Sequence, residues 1–224
     1  MFIRIDDICF VNFFAHYHFD QIENNPIHNF GLLTPDLLRN FTPNLYNKKK
    51  LQGLEFENDW RLGIQKHIQR DHLFHQSQFF KSVYHDCHTS VRNAFKQQEI
   101  PRFWFALHVW IEMLIDKVII NEYKENLEIF YHELNSVKTH IPELLTSIEH
   151  QNIEQFQLRM NRFTESQYLY HYQEHSGIIY GLNRVFIQVK VMQEEWSVEK
   201  QKSLYEMSEM IESSIKNYWN LLIT

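Results

Sequence analysis

Five glycines and five prolines are all that punctuate the 224 residues, whereas an average chain carries roughly 7% glycine and 5% proline. This scarcity is the tightest constraint on the fold. A β-sandwich needs a turn about every 8–12 residues, and glycine and proline supply most of the backbone conformations such turns require. Helices need far fewer connections. The expected fold class is therefore all-α, a single helical domain. With 44% hydrophobic and 22% charged residues, the chain has apolar surface enough for a core and little of the composition that keeps chains disordered.

Charge and cysteine content narrow the function. The net charge of −6 and the pI of about 6.1 supply no global basic field for a phosphate backbone, so nucleic acid is not an expected partner. Lys48, Lys49 and Lys50 form one local basic cluster, which reads as a solvated loop. Cys9 and Cys87 make no disulfide framework, which fits a reducing, cytoplasmic setting. The first ten residues, MFIRIDDICF, carry two aspartates where a signal peptide would need an apolar run. No stretch of about 18 apolar residues occurs, so no membrane span is expected.

Along the chain, residues 8–20 read as a short helix, and 24–35 as a loop leading to a helix capped by Thr34, with Pro35 at its first position and Asp36 in its first turn. One or two helices are expected over 54–98, and one from Pro101 to about Lys124. Further helices are expected near 125–139, 142–162, 164–192 and 197–222. There is no internal repeat, low-complexity tract or convincing linker.

The 14 histidines exceed what a core needs, and some fall in a pattern. His67, Asp71 and His75 recur at i, i+4 and i+8, as do His108, Glu112 and Asp116. Residues four apart share a helix face, so each triplet is a polar stripe. The second lies in an otherwise apolar segment, FWFALHVWIEMLIDKVII, where a carboxylate is costly unless it is paired or bound to a metal. Positions i and i+8 lie about 12 Å apart along the axis, so one ion cannot take a whole stripe, although adjacent pairs can share one. Histidine and carboxylate ligands suit zinc, iron or manganese, and more oxygen ligands favour manganese or magnesium. The competing reading is an ordinary ion-paired core, with Arg61, Lys66 and Arg70 as the partners of these acids. Two stripes together with Asp36 and His16 favour a metal or catalytic site.

Other histidines carry less. His85-Asp86 spells an HD dipeptide, but it follows His67 too closely for two separate helices. His171 and His175 sit in the tyrosine-rich YLYHYQEH, which suggests a surface or interhelix patch. His28, His132, His140 and His150 read as solvated positions. There is no G-x-S-x-G elbow and no glycine-rich phosphate loop; Gly31 and Gly63 stand alone.

Several segments in order resemble acyl-carrier-protein phosphodiesterases. VNFFAHYHF (11–19) is similar to that family's N-terminal signature, GLLTPDLLR (31–39) to its next block, GIQKHIQRDHLFHQSQFF (63–80) to its Gly-x-x-x-His-x-x-x-Asp segment, and MLIDKVI (113–119) to its later aspartate helix. YLYHYQEHSGIIYGLNRVF (168–186) has a similar rhythm. Residues 1–10 are an N-terminal extension beyond the resemblance. The chain departs from the family at Leu32 and Leu33, where a polar residue is usual, at Lys117, where a histidine follows the aspartate, and at His75, where the family is acidic.

The resemblance implies an HD-like helical phosphohydrolase that removes the 4′-phosphopantetheine arm from holo-acyl carrier protein. It implies a divalent metal, manganese first, with magnesium, zinc or iron as alternatives. Carried over by motif, Asp36, His67, Asp71 and Asp116 would hold the metal, and His16 and Asp71 would act in catalysis. The two polar stripes, rather than the resemblance, add Glu112, His108 and His75 as further ligands or orienting groups. Two alternatives stay open: a non-catalytic helical binding protein for a carrier protein or small ligand, and an HD-like hydrolase of another phosphoester.

Overall fold

The structure is a computed structural model that describes residues 12–42, 51, 58–94, 103–188 and 196–222. The N-terminal ten residues, Cys9 and the Lys48–Lys50 cluster lie outside them. Among the described residues every regular element is helical, and no helix is long and apolar enough to cross a membrane. In chain order the helices are α1 (Phe13–Asp20), α2 (Pro26–Phe41), α3 (Asp59–Gln76), α4 (Gln78–Ala94), α5 (Phe103–Glu122), α6 (Lys124–Ser136), α7 (Ile141–Ser147), α8 (Ile153–Ser166), α9 (His175–Gln188) and α10 (Val198–Asn217), with 3₁₀ segments at Tyr168–Gln173 and Trp219–Leu221. The all-α class expected from the sequence is what the chain forms.

Packing produces two compact units interleaved along the sequence. One holds Phe13–Asp71 and Tyr123–Tyr170; the other holds His72–Glu122 and His171–Thr224. The chain passes between them inside α3, after α5 and within the first 3₁₀ segment.

The first unit is built around α2, which packs on α1, α6 and α8. Its core is aromatic. Phe130 meets Phe14 and Tyr17 nearly edge-on, with ring centroids 5.7 and 5.0 Å apart, the arrangement that ring quadrupoles favour. Asn29 and Tyr17 both donate to Glu133 Oε2, at 2.8 and 3.0 Å, which ties α1 and α2 to α6.

The loop expected over 24–35 and the helix entry at Thr34 are not what forms. Helix α2 starts at Pro26 and runs through Pro35. Asn25 is the cap, its side chain accepting from the His28 amide at 3.1 Å. The Thr34 hydroxyl instead donates to the Phe30 carbonyl, four residues back within the helix, at 2.8 Å. It also accepts from the Trp60 indole N–H at 2.8 Å. His28, expected in solvent, is buried in the first turn of this helix.

Two expected long helices are likewise interrupted. The 142–162 segment breaks into α7 and α8, because Glu149 takes a left-handed φ of 53° and the Asn152 side chain caps α8 by accepting from the Gln155 amide. The 164–192 segment breaks at Gln167, which ends α8 in the left-handed conformation at φ 46°.

The second unit is built around α5, on which α4, α9 and α10 pack. Nearly every residue of α5 from Ala106 to Ile120 is buried, so the helix is enclosed on all sides rather than half-exposed as an amphipathic surface helix would be. The Trp110 indole N–H donates to Ser208 Oγ at 3.0 Å. Lys117, which stands where the resembled family has histidine, is also buried and pairs with Glu212 at 2.9 Å.

Candidate metal centres

Two groups of metal-ligating side chains occur among the described residues, one in each unit: His16, Asp36 and His67, and His75, His108 and Glu112. Within each group the donor atoms lie within 4.8 Å of one another.

The first group depends on a crossing of two helices. Gly31 of α2 and Gly63 of α3 meet without side chains between them. A Cβ added at Gly31 would overlap the Trp60 carbonyl and stand 2.9 Å from the Gly63 Cα, and one added at Gly63 would overlap the His28 carbonyl. This close approach carries His67, one turn after Gly63, against α2. There its Nδ1–H donates to the Leu32 carbonyl at 2.7 Å.

A carbonyl only accepts, so Nδ1 carries the hydrogen and Nε2 faces the other way. His67 Nε2 lies 3.9 Å from Asp36 Oδ1, beyond hydrogen-bonding range. Two ligands on one ion with bonds of about 2.1 Å can be that far apart. A ring nitrogen tied to a backbone carbonyl is also the usual support of a metal-bound histidine. The His16 ring lies on His67, centroids 3.9 Å apart. His16 and His67 are each 3% exposed and Asp36 8%, so all three groups are largely withdrawn from water. Arg39 donates to Asp36 Oδ1 at 3.1 Å from a side chain that is 56% exposed. Two imidazoles and a carboxylate fit a divalent transition ion.

Asp71 and Asp116 are not among the three donors of the first group. Asp71 is half-buried, one turn past His67 on α3, and is not in the first group. Asp116 is fully buried on α5 and belongs to the second unit. Two of the cations considered as partners for these acids meet Asp20: Arg70 forks it at 2.6 and 2.8 Å, and Lys66 Nζ lies 3.5 Å from the same carboxylate.

The second group joins the last turn of α3 to α5. His75 Nε2 and His108 Nε2 lie 2.8 Å apart. Both face Glu112 Oε1, at 3.2 and 2.9 Å respectively. Burial opposes the Glu112 charge, but the His108 and His75 imidazoles outweigh it and hold the carboxyl down at about 2.

The remaining histidines divide. His85 and Asp86 are exposed on α4, and Asp86 accepts from the Tyr218 hydroxyl at 2.9 Å, so the HD dipeptide lies on a solvated face. His175 bonds Glu212 at 2.7 Å, and Glu212 also accepts from Lys216 at 2.6 Å besides Lys117. The sequence reading missed this network: no spacing rule links residues 117, 175 and 212. It also missed the role of Gly31 and Gly63, although Gly63 stands one turn before His67 and the pairing of glycines across two helices was the available signal.

No family model, curated protein or solved structure matches this chain.

Proposed function

We propose that the chain is a cytoplasmic metal-dependent phosphoric diester hydrolase, with the 4′-phosphopantetheine arm of holo-acyl carrier protein as its substrate class. One observation carries the reading: the first group gathers His16, Asp36 and His67 from three helices, with His67 tethered at Nδ1 so that Nε2 turns toward Asp36. The order of segments that resembles the carrier-protein phosphodiesterases supplies the substrate, and it assigns Asp36 and His67 the same role.

In this reading Asp36, His67 and His16 hold the ion, manganese first. A divalent ion there would lower the pKa of water and neutralise charge on the phosphoryl oxygens. Asp71 shares the α3 face with His67 and takes the proton from the attacking water at its carboxylate. Arg39, exposed beyond Asp36, offers a guanidinium to a phosphoryl oxygen. The burial of His16, Asp36 and His67 would strengthen their own interactions with the ion.

The test uses full-length protein stripped of metal and reloaded with manganese. Holo-acyl carrier protein and a small chromogenic phosphodiester are the substrates. Asp36→Asn and Asp71→Asn should each cost on the order of 100-fold or more in rate, in line with loss of a key electrostatic group, while His150→Ala should stay near wild type. Activity on the small ester alone would keep the hydrolase and discard the carrier protein. Failure on both substrates by folded, metal-loaded protein would leave a binding protein as the better reading.

A further inference from the structure

We propose that His75, His108 and Glu112 form a second metal site, a zinc-class one with a coordination position open to solvent. The site lies wholly within the second unit, shares no residue with the first group, and does not depend on the function proposed for it.

The donor geometry is the main argument. Three atoms, His75 Nε2, His108 Nε2 and Glu112 Oε1, form a triangle with sides of 2.8, 2.9 and 3.2 Å. Ligand atoms around a tetrahedral ion with bonds of about 2.1 Å lie roughly 3.4 Å apart, so an ion would need the sides of the triangle to open by about 0.2 to 0.6 Å. Hydrogen bonding alone serves this arrangement badly. Each Nε2 carries at most one hydrogen, yet each faces both the other nitrogen and the same carboxylate oxygen. With hydrogens on both nitrogens, two N–H groups crowd a 2.8 Å gap. With a hydrogen on one nitrogen only, a single N–H serves two acceptors while the other nitrogen's lone pair still faces the carboxylate oxygen, and with none, three lone pairs converge. A divalent cation is a partner to all three at once.

The ligand set and its surroundings select the class of ion. Two imidazoles and one carboxylate make the three-ligand set of open, exchangeable zinc sites rather than of closed structural ones. The side chains of His75 and His108 are 28% and 26% exposed, while that of Glu112 is 8% exposed. The carboxylate therefore forms the floor and the imidazoles the rim, and the remaining position faces water. Phe80 holds both rings edge-on, its centroid 5.3 Å from His75 and 5.1 Å from His108. Phe74 lies 5.3 Å from His75. These aromatic walls fix the rings before any ion arrives, which reduces the ordering cost of binding. His108 and Glu112 stand one turn apart on a buried helix, so their spacing is also set in advance.

Calorimetric titration of metal-free, full-length protein with zinc tests the site. His75→Ala/His108→Ala should remove one equivalent of zinc or weaken it by at least 100-fold, and Glu112→Gln should weaken the same equivalent. Asp36→Ala, in the other group, should leave it in place. The loss of one equivalent is read whether the wild type binds one zinc or two, so failure of the first group is distinguishable from failure of this one. Should the double variant not fold, histidine-selective NMR of wild-type protein decides: saturating zinc should shift the Nε2 resonances of His75 and His108 together. Unchanged zinc binding in a folded double variant, or unchanged Nε2 resonances at saturation, would overturn the proposal.

Discussion

Gly31 and Gly63 touch backbone to backbone where α2 crosses α3: a side chain on Gly31 would start 2.9 Å from the Gly63 Cα. The contact sets how deeply His67, four residues on, reaches beneath Leu32 and Asp36. The position of His67 in the first group therefore depends on the absence of two side chains that do not belong to that group.

Gly63→Ala puts two magnitudes in opposition. In an exposed helix the change would stabilise by about 1 kcal/mol through propensity. Here the added methyl overlaps the His28 carbonyl, and overpacking typically costs about 1–3 kcal/mol or more when backbone must move. The expected outcome is a net loss of stability in urea denaturation, accompanied by weaker stabilisation of the fold by manganese. Equal or higher stability would show that the crossing is looser than drawn.

Glu212 makes the second unit acid-sensitive. Burial alone would raise its pKa, but Lys216 and Lys117 outweigh that and hold the carboxyl at about 2, against an ordinary value near 4.5. A depressed folded-state pKa contributes stability that is complete above the unfolded value and lost as pH falls through the folded one. Between pH 7 and pH 3 the wild type should therefore lose up to about 2 kcal/mol more than Glu212→Gln. At pH 7 the variant should already be weaker by roughly 3 kcal/mol, because buried Lys117 loses its partner. Parallel pH profiles of the two proteins in urea would remove the network from the stability of the unit.

Cys87 should be chemically silent in the folded protein. It is 1% exposed, and burial pushes its thiol up to about 11. At pH 8 that leaves about 0.1% as thiolate, the reactive form. In a Cys9→Ser background, labelling by a thiol reagent should be slow and should rise only with urea, in step with loss of helicity. Prompt labelling of one thiol without denaturant would contradict the burial of this residue.

Helicity was legible in the sequence because it follows from local facts: few breakers, long apolar periodicity and acceptable caps. The pairing of His108 with Glu112 was legible for the same reason, since residues four apart on a helix share a face whatever surrounds them. Thr34-Pro35-Asp36 misled because proline at a helix start and proline inside a helix leave the same local signal. What settles it is nonlocal: the Trp60 indole, 26 residues away, occupies the Thr34 hydroxyl. The break at Glu149 carried no glycine or proline to announce it.

The sequence by itself determined which residues share a helix face, since a rise of about 1.5 Å and a turn of 3.6 residues need nothing beyond the backbone. It showed His67, Asp71 and His75 as one stripe and His108, Glu112 and Asp116 as another. Only the tertiary structure decided how the stripes are divided. His67 joins His16 and Asp36, while His75, two turns further along the same helix, joins His108 and Glu112. Eight residues of helix span about 12 Å, too far for one ion, so each end of the stripe takes the donors its own surroundings supply. Those surroundings are set by helix crossings between residues distant in sequence, such as Gly31 with Gly63, which no local periodicity encodes.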